Sequence, residues 1–176
     1  MGVFLRRERA GDESAIAGVH TLAFARPETP DTEPPETSLV AVLRASDAWI
    51  PALSLVAIVE DSIVGHVVCS RALIAGKIPV LGLGPLGVKP DHQHALVGSA
   101  LMHAVVAAAD ALGERVICLL GDPNYYERFG FTPASDHGIE APKDWYGDHF
   151  QARALTSATG EERGAFEYAG AFDAVP

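Results

Sequence analysis

Apolar positions recur along this chain with two periods, and the changes of period divide it into strands and helices. Residues 3–8, VFLRRE, predict a short first strand. GDESAIAGVHTLAFA then spaces Ile16, Val19, His20 and Phe24 along one face, with Asp12 or Ser14 as cap, which predicts a helix. In residues 26–37, RPETPDTEPPET, Pro27, Pro30, Pro34 and Pro35 stand among acidic side chains. Such a stretch predicts an exposed loop, serving either as a solvated connector or as a lid over a substrate mouth.

Ser38–Arg44 predicts a second short helix, and LSLVAIVE and SIVGHVVCSRALI flank Asp61-Ser62 as two largely buried strands of a hairpin. The fourth strand, PVLGLGPLGV, carries Gly84-Pro85 at its centre. Proline has no amide donor, so a bulge or a splayed strand is expected there. From about 96 to 112 the helical period puts Val97, Leu101, Ala104, Val105, Ala108 and Leu112 on one face, and Gly113 stands where a left-handed cap ends a helix. VICLLGD is a fifth strand. PNYYERFG predicts a turn or two of helix begun by Pro123 and stopped by Gly130, and FQARALT and GAFEYAGAF supply the last strands. Helices and strands alternate irregularly, as in an α/β chain (α+β in some schemes).

Composition narrows the class. With 176 residues, 48% of them hydrophobic and 20% charged, the chain is expected to form a single domain over 1–176 with a substantial core. The segment before Arg6 is too short an apolar run for a signal peptide, and Arg6 stands where a myristoylation pattern needs Ser or Thr. The most apolar long segment contains His103 and Asp110, which reads as a buried helix rather than a membrane span, so a cytoplasmic protein is expected. Cys69 and Cys118 sit in strand-like runs without partners at metal-ligand spacing, which predicts buried free thiols and no metal. The net charge of −10 argues against a nucleic-acid backbone or an anionic membrane as partner and suits an amine-bearing one.

Two stretches carry candidate chemistry. In VKPDHQHALVGSAL a polar turn precedes an apolar helix, whose first amides could face a pyrophosphate or could merely join strand to helix. No GxGxxG follows the first strand and no GxxxxGK[ST] occurs, which disfavours dinucleotide and P-loop sites. The second stretch, GDPNYYERFGF, is more specific: a strand end, a proline-started turn, paired tyrosines and Phe-Gly-Phe.

With the interrupted strand and the Q-x-x-x-x-G junction, this order resembles the GNAT superfamily of N-acetyltransferases, in particular small bacterial members with a YYxRFGF-like run. The resemblance extends from VFLRRE to the C-terminal FEYAGAFDAV. It implies a mixed, mostly antiparallel central sheet, splayed between strands 4 and 5, flanked by helices and holding acetyl-CoA as cosubstrate in the splay. Carried over residue by residue, Leu86, Gly87 and Val88 would pair with the pantetheine arm. The backbone of Gln93, His94, Ala95, Leu96, Val97, Gly98 and Ser99 would surround the diphosphate, and Asn124 would hold the cofactor from the fifth-strand side. Tyr126 would donate a hydrogen bond or a proton to the departing thiolate, with Tyr125 as fallback, and the Val88 N–H would face the developing oxyanion.

The resemblance therefore implies acetyl transfer to a primary amine of a small molecule or a protein; the alternative is a degenerate scaffold that binds without catalysis. The family run is QGRGIG-like, whereas this chain has QHALVG. The missing glycine at Leu96 and missing basic residue at Ala95 put cofactor affinity in question, with His94, His92 and Lys89 as replacement charges. Glu60, Asp61, His66 and His92 are candidates by type for the base that deprotonates the amine. Pairing through the C-terminal strands is a route to a homodimer.

Overall fold

The computed structural model describes residues 2–174. Met1, Val175 and Pro176, included in the expected 1–176 domain and in part in the C-terminal motif, lie outside the described residues. Among these described residues nine strands form a mixed, mostly antiparallel sheet.

The first half is an antiparallel meander. β1 (Phe4–Arg7), β2 (Ser54–Val59), β3 (Ser62–Ile74) and β4 (Ile78–Val88) pair in turn. The β2–β3 turn falls on Glu60 and Asp61, one residue earlier than the sequence places it. Both residues hold left-handed φ angles of 48° and 63°, as a two-residue hairpin of this twist demands.

Four helices follow the predicted order. α1 (Glu13–Ala23) buries Ile16, Val19 and His20. α2 (Pro35–Arg44) begins three residues before the expected Ser38, because Pro35 serves as a first-turn proline and needs no amide donor there. The exposed part of the acidic segment thus ends at Glu33. α3 (Val97–Ala111) buries Leu101, Met102, Val105, Val106 and Ala109, a face rotated from the expected one: Ala104 and Ala108 lie at its margin, and Leu112 is exposed. α4 (Pro123–Tyr126) is the short turn after β5 (Val116–Leu120), capped by the Asp122 side chain on the Asn124 amide.

Alternation along the strands assigns the helices to opposite faces. A side chain at Gly65 would meet Val97 and Leu101 of α3, while one at Gly87 would meet His20 and Ala23 of α1. The remaining strands close the far side: β6 (Thr132–Pro133), β7 (Ile139–Glu140), β8 (Phe150–Ala154) and β9 (Gly164–Glu167), so the sheet runs β1-β2-β3-β4-β5-β8-β6, with β9 pairing β3 and β7. The two-residue strands β6 and β7 carry too few residues to show a period in the sequence.

Beneath α1 and α2 lies a buried polar chain. Arg44 Nε donates to Glu8 at 2.6 Å, and Ser54 Oγ donates to the other oxygen of the same carboxylate. Ser54 having given its only proton, its oxygen accepts from His66 Nε2 at 2.9 Å; His66 Nδ1 then accepts from His20 Nε2 at 2.8 Å. Each proton is fixed by the one before it, and the series ends on His20 Nδ1, which is buried without a partner. A Cβ at residue 87 would come within 2.8 Å of that nitrogen, so glycine is required there.

Burial pushes Glu8 up, but the neighbouring His66 and hydrogen bonds from Arg44 and Ser54 outweigh it and bring it down to about 2. Burial, with the neighbouring His66 and Arg44, lowers His20 to about 3, and burial lowers His66 as well. The unfolded chain therefore takes up protons on these histidines below about pH 6.5, where the folded chain does not, and stability falls with pH from there. Glu8 adds a second loss below its unfolded value, as pH falls toward 2. Each proton difference is worth about 1.4 kcal/mol per pH unit. Urea unfolding should accordingly give a stability about 2–4 kcal/mol lower at pH 5 than at pH 7, and His20→Gln should flatten that slope. Equal stability at the two pH values would show that the histidines are not held neutral.

Candidate active site

Strand β4 leaves its neighbour partway along. It pairs in parallel with β5 only at Leu81↔Ile117 and Gly82↔Cys118. On its other edge the register with β3 slips opposite Gly84-Pro85, between Val67 and Cys69, so the expected bulge and splay fall where the proline stands. Past it, Lys89 N donates to Val64 O at 2.9 Å, toward β3. Strand alternation turns the Leu86 and Val88 amides the opposite way, into the gap beside β5. Gln93 Nε2 holds the Val88 carbonyl at 3.0 Å, anchoring the strand end to the turn before α3.

The gap contains two cavities that share Leu86. The smaller, about 610 Å³, is lined on one side by Val88, Gln93, His94, Leu96, Gly98 and Ser99, and on the other by Asp122, Asn124, Tyr125 and Arg128. The sequence-predicted residues Leu86, Val88, Gln93, His94, Leu96, Gly98, Ser99 and Asn124 are thus brought together. Ala95 is exposed outside this lining, and Val97 turns its side chain into the core against Gly65, so these two offer only backbone. Gly87 likewise faces His20 rather than the gap.

The turn into α3 keeps the path that glycine follows without having it. His94 and Leu96 take φ angles of 60° and 65°, and Leu96, 75% exposed, stands at the cavity rim. Left-handed backbone costs an L-residue roughly 1–2 kcal/mol. At Gly98 a Cβ would lie 2.7 Å from Tyr125 Oη, so glycine is what lets that tyrosine close over the helix start. Among the expected replacement charges, Lys89 and His92 do not line the cavity, while His94 does. Arg128, which the sequence reading passed over inside the YYERFGF run, supplies the guanidinium: it lies 5.0 Å over the Tyr125 ring and donates to Asn124 O at 3.4 Å.

The paired tyrosines divide the gap between them. Their rings meet edge to face at 4.9 Å. Tyr125 faces the smaller cavity, whereas Tyr126 lies against Gly121, where a Cβ would come within 2.3 Å of its ring, and lines the larger cavity. Burial, with the neighbouring Tyr125, pushes the Tyr126 phenol up to about 12; burial raises Tyr125 too. Both stay protonated at neutral pH.

The larger cavity, about 960 Å³, runs from Leu83–Leu86 and Tyr126 to the α1–α2 side and to β9. None of the four base candidates lines it: Glu60 and Asp61 form the β2–β3 turn, His92 lies in the Pro90–His92 turn, and His66 is sealed in the polar chain. Glu36, in the first turn of α2, does line it, and its Oε2 is buried without a hydrogen-bond partner. Among the described residues no group of three His, Cys, Asp or Glu side chains is arranged to hold a metal ion, and no helix is long and apolar enough to cross a membrane.

Comparison with known proteins gives consistent results. Residues 51–133 match the family described as acetyltransferase (GNAT) domain. The uncharacterized N-acetyltransferase YjhQ of Escherichia coli (strain K12) is 34% identical over 154 residues, covering 85% of this chain and 81% of YjhQ. A crystal structure of a GNAT family acetyltransferase from Brucella melitensis in complex with acetyl-CoA is 32% identical, with a TM-score of 0.78 over 98% of this chain and 99% of that one. That of YhbS from Escherichia coli in complex with CoA has a TM-score of 0.85 over 97% of this chain and 92% of that one at 24% identity, a likeness of fold.

The left-handed Leu96 gives a direct test of the turn. Leu96→Gly removes the steric cost and adds some unfolded-chain freedom, for a net gain of about 0.5–1 kcal/mol. In a chain of this size the melting temperature should rise by about 2 °C. A fall of similar size would mean that the leucine side chain makes compensating contacts.

Proposed function

This chain belongs to the GNAT acetyltransferase family and is an acyltransferase, and we propose that it uses acetyl-CoA to acetylate a primary amine, of a small molecule or a protein, that attacks directly. The observation that carries this reading is the edge of β4 at Leu86–Val88, which faces an open gap and leads, through the turn of residues 89–96, into the N-terminus of α3.

The residues present fit the donor. The Leu86 and Val88 edge offers strand-like pairing to the pantetheine amides. The amides from His94 to Ser99 lie at a helix N-terminus, which favours a diphosphate, and Arg128 and Asn124 complete the opposite wall. Acetyl-CoA supplies an activated thioester carbonyl. Holding it beside the amine replaces a bimolecular encounter by a positioned one, which can account for a large part of the rate.

Two groups of the chain then act on developing charge. The Val88 N–H donates to the carbonyl oxygen as it becomes negative; removing one such donor typically costs about 3–4 kcal/mol. The Tyr126 hydroxyl faces the sulfur. With the phenol at about 12 and a thiol near 8.5, complete proton transfer to the thiolate runs uphill by roughly 3.5 pK units. The hydroxyl therefore stabilises the departing thiolate by hydrogen bonding, and solvent delivers the proton after release.

The reading of a scaffold that no longer catalyses rests on the missing glycine at Leu96. The backbone there nevertheless follows the left-handed path, and the side chain stands at the rim, which favours the enzyme.

Calorimetric titration with acetyl-CoA should give a micromolar Kd; no binding at millimolar donor would sink the acetyltransferase reading. Tyr126→Phe should lower kcat roughly 10–100-fold while leaving the acetyl-CoA Kd within about twofold. An unchanged kcat would remove Tyr126 from the thiolate.

A further inference from the structure

The larger cavity has a composition that the donor does not explain. Its wall presents the rings of Phe24, Tyr126, Tyr146, Phe166, Tyr168 and Phe172. These are held rather than scattered: Phe166 and Tyr168 meet at 4.7 Å, and Tyr168 and Phe172 at 4.4 Å. Phe24 stacks on the buried His20 at 5.9 Å. The Tyr168 ring lies so close to Gly82, the last residue of β4 paired with β5, that a Cβ there would come within 3.0 Å of it. The aromatic wall thus starts where the sheet begins to part.

The charges of the same wall have one dominant sign. Glu36, Glu167 and Asp173 line it against Lys143 alone. The carboxylate of Glu36 has an oxygen that is buried and accepts from nothing. A buried carboxylate oxygen is stabilised by any donor that reaches it, and a carboxylate's best donor is a cation.

Taking the acetyltransferase reading above as its basis, we infer that this cavity binds the acceptor, and that the acceptor is an arylalkylamine: a primary ammonium on a flat, apolar, ring-sized body, without a carboxylate. The rings bury the apolar body and attract the cation, as aromatic faces do. Glu36 pairs with the ammonium, which gives up a proton to solvent. The neutral amine then forms the N–C bond with the thioester carbonyl, the C–S bond breaks, the amide nitrogen sheds its second proton to solvent, and CoA leaves as the thiolate. Leu86, common to both cavities, sets the amine next to the donor's thioester end. An amino acid brings a carboxylate into a wall of carboxylates, and a polyamine leaves the rings uncovered; both are disfavoured.

The test uses the full chain with saturating acetyl-CoA, thiol release being followed for phenethylamine, tryptamine, phenylalanine, spermidine and a peptide beginning with alanine. Phenethylamine and tryptamine should show kcat/KM at least tenfold above the other three. Phenylalanine is the stringent control, since it differs from phenethylamine only by the carboxylate. Equal or better turnover of phenylalanine, spermidine or the peptide overturns the assignment. Glu36→Gln should raise the KM for phenethylamine about tenfold and leave the KM for acetyl-CoA unchanged; an unchanged amine KM removes Glu36 from the site. If acetyl-CoA binds but neither arylalkylamine is acetylated, the acceptor assignment alone fails. If acetyl-CoA does not bind, the acetyltransferase reading fails with it.

Discussion

Everything functional in this molecule depends on how briefly β4 and β5 stay together. Two parallel rungs, at Leu81↔Ile117 and Gly82↔Cys118, join the meander β1–β4 to the second half of the sheet. Fewer would leave the halves without continuous pairing; more would close the gap and occupy the Leu86 and Val88 amides. The break at Gly84-Pro85 sets the limit. Proline removes an amide from the ladder, and the register with β3 slips opposite the pair, so β4 leaves β5 while staying bound to β3. A loss of regular pairing in the middle of a strand is thereby turned into a binding edge.

An edge of this kind holds its shape only if the strand that bears it cannot drift, and the two faces of β4 are fixed by different means. On the α3 face apolar packing suffices, with Val88 of β4 against Gly98, and Val97 and Leu101 against Gly65 of the neighbouring β3. On the α1 face the support is polar: the series from Arg44 and Glu8 through Ser54 and His66 ends on His20 beneath Gly87. Because every proton in it is assigned by its neighbour, the series has one low-energy arrangement, and a buried network of that sort trades stability against uniqueness of packing. It also carries Phe24, stacked on His20, to the cavity wall.

Local chemistry was legible in the sequence, and relations between distant segments were not. Gly84-Pro85 announces its own break, and the Pro123-to-Gly130 turn its own limits, because each effect acts within a few residues. The α2 start at Pro35 was missed because prolines in an acidic run read as loop, although a first-turn proline is equally at home in a helix. The rotation of the α3 face escaped for a related reason: its apolar residues nearly encircle the helix, and only the facing strand selects Met102, Val106 and Ala109 over Ala104 and Leu112. Arg128, Glu36 and the His20–His66 pair required tertiary distance. Of these, only Arg128 had a local signal, as the one basic residue within the aromatic run.

The departure from the family run at QHALVG is the sharpest place where sequence and backbone part company. Glycines in such a turn are read as permission for left-handed φ, and their absence suggests a different path. His94 and Leu96 take that path regardless. The turn is held from outside itself, by Gln93 on the Val88 carbonyl, by Val97 in the core, and by Tyr125 over Gly98. With three anchors around it, the strain at two residues is a tolerable cost, since each anchor is worth about as much as the strain it opposes. What the substitution removes is then the basic side chain at Ala95. Arg128, the arginine of the YYxRFGF-like run, brings a guanidinium to the same cavity from the other wall, so the site keeps a positive charge without it.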